Sequence, residues 1–273
     1  MSEQTRKATA FRALHARSGA FIIPNPWDAG TAKILTHLGF EALATTSAGL
    51  AFALGRNDGA VSREETLANA ETIVQATHLP VAADLENGFG HAPEKAAETI
   101  RLAIGVGLVG GSIEDASGDS AKPIYDFNLA VERIAAVVEA VGAKDIPFTL
   151  TARAENYLHG RPDLNDTIKR LQAFEKAGAD VLYAPGLPSL EAIREVCSSV
   201  TRPVNVLAGS AFTLKQLEDA GVKRVSVGSG LSRMALGAFA KAAHEMKDFG
   251  TFNFAKDAFP FADINNLMKE ELL

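Results

Sequence analysis

The chain has 273 residues, 47% hydrophobic and 22% charged, with a formal net charge of -6 at pH 7. That balance suits a globular domain with a large core, and the acidic total argues against a nucleic-acid partner. No run of about 18 apolar residues occurs, so no membrane span is expected, and the lone Cys197 excludes an intramolecular disulfide and fits a reducing, cytoplasmic setting.

The first segment, MSEQTRKATAFRALH, is polar and helix-like and lacks the apolar stretch of a secretory signal. An alternation then begins. FIIPN (21–25) reads as a strand and AGTAKILTHLG as its helix. EALATT (41–46) follows, then a polar loop, LGRNDGAVS, that carries Asp58. The next helix, SREETLANAETIVQATH, opens on Ser62 with Glu64 and Glu65 behind it, a helix-start signal. PVAADLE (80–86) precedes a helix that starts at Pro93, and LVGGSIED (108–115) precedes NLAVERIAAVVEAVG. PFTLTAR (147–153), ADVLYAP (179–185), RPVNVLA (202–208) and KRVSVGS (223–229) are each followed by a helical stretch, and Gly39, Gly178 and Gly221 stand where helices should stop.

Eight strand–helix units predict a single (β/α)8 barrel of the TIM type, with a core at about residues 10–240. An open doubly wound sheet is the rival, but no G-x-G-x-x-G follows the first strand. Residues 241–273 form an extra C-terminal helical arm rich in Phe. The arm either packs on a neighbouring subunit or folds back on its own barrel.

Catalytic residues of such barrels come from the carboxyl ends of several strands. The ends here carry Thr45, Thr46 and Ser47, then Asp84 and Glu86, then Glu114 and Asp115, then Arg153 and Glu155. Asp84 and Glu86 are two apart, so in a regular strand they share one side, where two carboxylates repel unless a cation or proton intervenes. Glu114 and Asp115 are adjacent, so one faces the site and the other the helix layer. Hard oxygen ligands at several strand ends suit Mg²⁺, whereas no H-E-x-x-H or Cys cluster indicates zinc. Arg153 offers a planar fork to a substrate carboxylate, or a salt bridge to Glu155 or Glu114. His91 and His159 fall in rim loops without partners in sequence.

The ordered stretches TTSAGLAFALGRNDG, VAADLENGFG, GGSIEDA, TARAENYL, GADVLYAPG, PVNVLAG and GVKRVSVG resemble the isocitrate lyase/phosphoenolpyruvate mutase superfamily, in its phosphonomutase-like branch, from about residue 10 to 240. The resemblance implies a Mg²⁺-dependent enzyme, with Mn²⁺ as a substitute, that makes or breaks C–C or P–C bonds in small oxo or hydroxy acids. It implies that Asp84 ligates the metal, that Glu86, Glu114 and Asp58 hold metal-bound waters, and that Arg153 grips the substrate carboxylate. Thr46, Ser47 and Ala48 would add substrate contacts, with Asn205 from the seventh strand beside them. It also implies homo-oligomers, dimers or dimers of dimers, in which the last helices pack on a partner barrel.

One loop departs from the family. Lyases of isocitrate and methylisocitrate carry K-K-C-G-H after the fourth strand, and mutases carry Lys-x-Asn. Here the loop reads DASGDSAKPIYDFN, without Cys, and Lys122 is followed by Pro123 and Ile124. Lys122 and Tyr125 are its candidate proton carriers, and residues 117–127 form a candidate lid. The favoured reading is a lyase or decarboxylase working through an enolpyruvate-like intermediate. The alternatives are a phosphonopyruvate hydrolase or phosphoenolpyruvate mutase type of enzyme, a phosphate-binding isomerase cued by VGSGLSRMAL, and a non-catalytic barrel that binds an oxoacid.

Overall fold

The computed structural model describes residues 1–269; residues 270–273, the end of the expected arm, lie outside the described residues. Eight parallel strands form one sheet: β1 (Phe21–Ile23), β2 (Leu43–Ala44), β3 (Val81–Asp84), β4 (Gly110–Glu114), β5 (Thr149–Arg153), β6 (Val181–Tyr183), β7 (Val204–Leu207) and β8 (Arg224–Ser226). The order is β1-β8-β7-β6-β5-β4-β3-β2. Ala44 N donates to Pro24 O at 3.0 Å across the remaining gap, so the sheet curls into a nearly closed barrel. All eight expected strands are present, each shorter than its apolar run, because the flanking residues leave the ladder to build the rim loops.

Helices alternate with the strands. α1 (Glu3–Ala16) precedes β1, and α2 (Ala29–His37) follows it. After β2 come α3 (Ser47–Ala53) and α4 (Arg63–Gln75), and then α5 (Pro93–Gly105), α6 (Phe127–Gly142), α7 (Leu164–Ala177), α8 (Leu190–Ser199), α9 (Leu214–Asp219) and α10 (Gly230–Phe249), with α11 (Phe261–Lys269) last. Ser62 and Glu65 form the full reciprocal cap that opens α4, and Pro93 occupies the first turn of α5. α3 adds a helix between the second strand and the LGRNDGAVS loop that the sequence reading does not include. Thr46 caps it by accepting from Gly49 N at 3.2 Å, and its seven residues are too few to show a period.

The main core lies between the sheet and the helix ring, with Leu85, Ile100, Ile113, Leu150, Phe174 and Leu182 at its centre. A second cluster sits at the amino end of the barrel, where Phe11 and Leu14 of α1 pack on Phe21, Ile23, Ala82 and Val109. Gly110 is required there, since a Cβ on it would lie 2.8 Å from the Phe11 ring. α1 therefore closes the lower mouth of the barrel.

Register carries one row of side chains from rim to floor. Glu114 pairs with Arg153, Arg153 with Tyr183, Tyr183 with Asn205, and Asn205 with Arg224. Glu114 is the last residue of β4 and Arg224 the first of β8. The row descends because strands of a closed barrel tilt against its axis.

Candidate active site

The strand ends meet over a cavity of about 210 Å³ that opens at the rim. Asp84, the last residue of β3, is its centre. Its Oδ1 accepts from Arg153 Nη1 at 2.8 Å, and its Oδ2 accepts from Ser47 Oγ at 2.8 Å and Ser47 N at 3.3 Å. Arg153 closes β5 and reaches two further carboxylates, Glu114 at 3.1 Å and Glu155 at 2.8 Å. Its guanidinium lies over the Tyr183 ring, 5.2 Å from the centroid. Burial by itself would discharge Arg153, but Glu155, Glu114 and Asp84 together hold the proton far more firmly than usual. The salt-bridge reading of this arginine is the one seen: it is a hub for three carboxylates at the cavity wall.

Glu86 reaches the site by a route the two-residue period does not describe. The strand stops at Asp84, Leu85 turns fully into the core, and Glu86 sits at φ 48°. Its Oε1 is buried with no hydrogen-bond partner. Burial, and then the charges of Asp84 and Asp58, push its pKa up to about 7. Glu114 is raised well above the carboxylate range by burial, a rise that Arg153 opposes. Asp58 is exposed as a residue, yet its carboxylate lines the cavity, and partial burial and Asp84 raise its pKa. Four acids thus crowd one mouth with more negative charge than Arg153 alone balances. A hard divalent cation would relieve that repulsion, although among the described residues no group of three acidic, His or Cys side chains is placed to hold one.

Asp115 points away, as its adjacency to Glu114 implies. It accepts from Glu155 N at 2.8 Å and pairs with Arg170 at 3.0 Å under the helix layer. Thr46, Ser47 and Ala48 line the cavity. Asn205 lies deeper than a rim contact, buried beneath it, where it donates to Ser226 Oγ and accepts from Arg224 Nε. Lys122 is not brought to the cavity; it is exposed at the tip of the 117–127 loop. The loop's base is anchored by a bridge between Ala116 and Ile124, and Tyr125 is buried. His91 Nδ1 bonds the Tyr125 hydroxyl at 2.9 Å, and so the loop histidine has a partner after all. In VGSGLSRMAL the N–H groups of Val227 and Gly228 both donate to Asn25 Oδ1 at 2.9 Å, which removes two donors from the phosphate reading.

Three contributors escaped the sequence reading. Tyr183 and Arg224 enter through cross-strand register. Arg133 of α6, fully buried, donates to the carbonyls of Asn87, Gly90 and His91 and so holds the turn that follows Glu86. Their only sequence signal is a polar residue inside an apolar strand or helix. The same turn needs Gly88, at φ 80°, where a Cβ would lie 2.8 Å from Ala96 Cα. Gly88→Ala is expected to lower stability by about 2–4 kcal/mol, the sum of a left-handed backbone penalty and overpacking. Urea unfolding checks this; an unchanged midpoint would show that the turn relaxes freely.

A sequence model described as phosphoenolpyruvate phosphomutase matches residues 11–247. A crystal structure from Burkholderia cenocepacia J2315, carrying a provisional lyase/mutase description, superposes with a TM-score of 0.98 at 58% identity over 99% of both chains. An uncharacterized protein of Mycobacterium tuberculosis is 30% identical over 88% of this chain and 89% of its own. The 2-methylisocitrate lyase of Halalkalibacterium halodurans is 28% identical over 91% of this chain and 84% of its own. The oxaloacetate decarboxylase of Pseudomonas putida GB-1 is 27% identical over 71% of this chain and 68% of its own.

Proposed function

Starting from a chain that belongs to the phosphoenolpyruvate phosphomutase family, we propose a Mg²⁺-dependent lyase or decarboxylase of a small 2-oxo or 2-hydroxy acid. The observation that carries this reading is the Asp84–Arg153–Glu114 cluster at the cavity mouth, with Glu86 Oε1 unpartnered beside it. Asp84 is the direct ligand in this reading, and Glu86, Glu114 and Asp58 surround it. Mn²⁺ offers the same hard character. Such a cation, when bound, supplies positive charge to the oxygen on which charge develops as the bond next to a carbonyl breaks. Arg153 fixes the substrate carboxylate and hence the orientation of the scissile bond. Ser47 holds Asp84 in place through both its N–H and its hydroxyl.

The 116–127 segment has no thiol, and its one lysine is exposed away from the cavity. This favours cleavage of oxaloacetate-like or malate-like acids over methylisocitrate and over phosphonates. The test is a screen with Mg²⁺ against oxaloacetate, 2,3-dimethylmalate, 2-methylisocitrate and phosphonopyruvate, with pyruvate release as readout. Turnover of phosphonopyruvate alone would move the protein to P–C chemistry, and tight binding without product would make it an oxoacid-binding barrel.

The acid cluster also predicts pH-dependent metal binding. Glu86 is protonated below its raised pKa of about 7, and a cation must displace that proton. Apparent Mg²⁺ affinity is therefore expected to weaken by up to about tenfold per pH unit below 7 and to level off above it. Glu86→Gln should flatten the slope. Titration calorimetry from pH 5.5 to 8 measures it, and a flat wild-type profile would refute the assignment.

The arm bears on assembly. Ser232 is the sole buried residue of α10, while Met234 is 71%, Phe239 72% and Phe249 77% exposed. In our reading the barrel and the arm form one folding unit, and α10 packs on a second copy. Sedimentation should give a multiple of 28.8 kDa; a monomer at micromolar concentration would contradict this. The single cysteine, Cys197, is the support for a reducing cytoplasm; no helix among the described residues is long and apolar enough to cross a membrane.

A further inference from the structure

The inner face of a barrel is ordinarily packed with branched aliphatic side chains. Here small inward residues (Ala82, Ser112 and Thr151) leave the cavity open downward as far as Arg224. Arg224 is only 6% exposed. It donates from Nε to Asn205 Oδ1 at 2.9 Å and from Nη2 to Thr151 Oγ1 at 2.9 Å, and its Nη1 lies 3.3 Å from His15 Nε2. All three partners are neutral. His15 Nδ1 bonds Phe11 O at 2.8 Å, so Nε2 is left to accept, and burial and then Arg224 push the ring's pKa down to about 3.

These bonds use three of the five guanidinium N–H groups. Among the described residues no carboxylate forms an ion pair with Arg224, whereas Arg153 above it is shared by three. A buried guanidinium without counter-charge is costly, and burial draws its pKa down to about 10. Its depth follows from Thr151, which lies two residues below Arg153 on the same inward side of β5, roughly 7 Å deeper.

We propose that the floor of the cavity, formed by Arg224 with Thr151 and Asn205, is an anion subsite for the second carboxylate of a dicarboxylate substrate. The first carboxylate sits at Arg153 and the acidic mouth. The inference rests on the oxoacid reading above and narrows it: a monocarboxylate, or a diacid as short as oxalate, would leave Arg224 unpaired, and a diacid with carbons between its carboxylates spans both arginines.

Two measurements test it. Crystals of the full chain soaked in bromide should show an anomalous peak at hydrogen-bonding distance from Arg224 in the wild type and none there in Arg224→Met. In solution with saturating Mg²⁺, Arg224→Met should raise the Kd of 3,3-difluorooxaloacetate, which cannot enolise, at least tenfold more than that of oxalate, which fits the mouth alone. Bromide bound only at surface sites, or equal losses for the two acids, overturns the subsite. Failure of oxalate to bind the wild type with Mg²⁺ would instead strike the oxoacid reading, and the bromide result on unmutated protein would still judge the floor. Thermal melts report whether Arg224→Met folds.

Discussion

Asp84→Ala is expected to abolish Mg²⁺ binding and to lower kcat/KM by at least about 10³-fold, or ~4 kcal/mol of transition-state stabilisation. The carboxylate joins four donors: Arg153 and the Glu86 N–H on one oxygen, and the N–H and hydroxyl of Ser47 on the other. Its loss removes the proposed direct ligand and releases all three neighbouring residues. The backbone of β3 should survive, since Ala83 and Leu85 supply its buried contacts and Asp84 N still donates to Thr45 Oγ1. Calorimetry with Mg²⁺ and circular dichroism check the two halves of the expectation. Retained turnover with an intact fold would remove Asp84 from the centre of the mechanism.

Arg153 should separate chemistry from stability. Arg153→Lys keeps the charge and loses the fork, so kcat/KM should fall by about 10–100-fold with a modest change in folding. Arg153→Met leaves Glu114 and Glu155 buried without compensation, at a cost of about 3–5 kcal/mol. The sign with pH follows from Glu114. Its folded pKa is raised, so the native state binds this proton more tightly than the unfolded chain, and the group's contribution to stability falls as pH rises above about 4.3. The deficit of Arg153→Met should therefore be smallest near pH 4–5 and largest above neutrality. Denaturant melts across that range check it; a pH-independent deficit would mean that Glu114 is not the group left uncompensated.

The strand ends are legible in the sequence because each ends an apolar run at a polar residue, which puts Asp84, Glu114 and Arg153 at one rim. Glu86 arrives near them for a different reason than expected. Leu85 seeks the core, and the chain turns there instead of continuing as a strand. Lys122 looked eligible because a loop's residues can be read but its reach cannot. Asn205 lies on the expected strand and lines the cavity from a buried position. Tyr183 and Arg224 stay hidden because their positions depend on strand register, which sets Tyr183 between Arg153 and Asn205 and Arg224 beside Asn205, pairings between distant segments that no local pattern records. α3 was missed because seven residues hold barely two turns.

The stopper that α1 makes beneath the sheet turns the barrel into a cup with one lip. Phe11 and His15 sit where a through-passage would run, so molecules enter and leave past the same acids and the same arginine. In the proposed cleavage a fragment held at the bottom would wait for the one above it, and departure would be ordered by depth. The upper product should then inhibit by trapping the lower one, an asymmetry that an open pipe would not show.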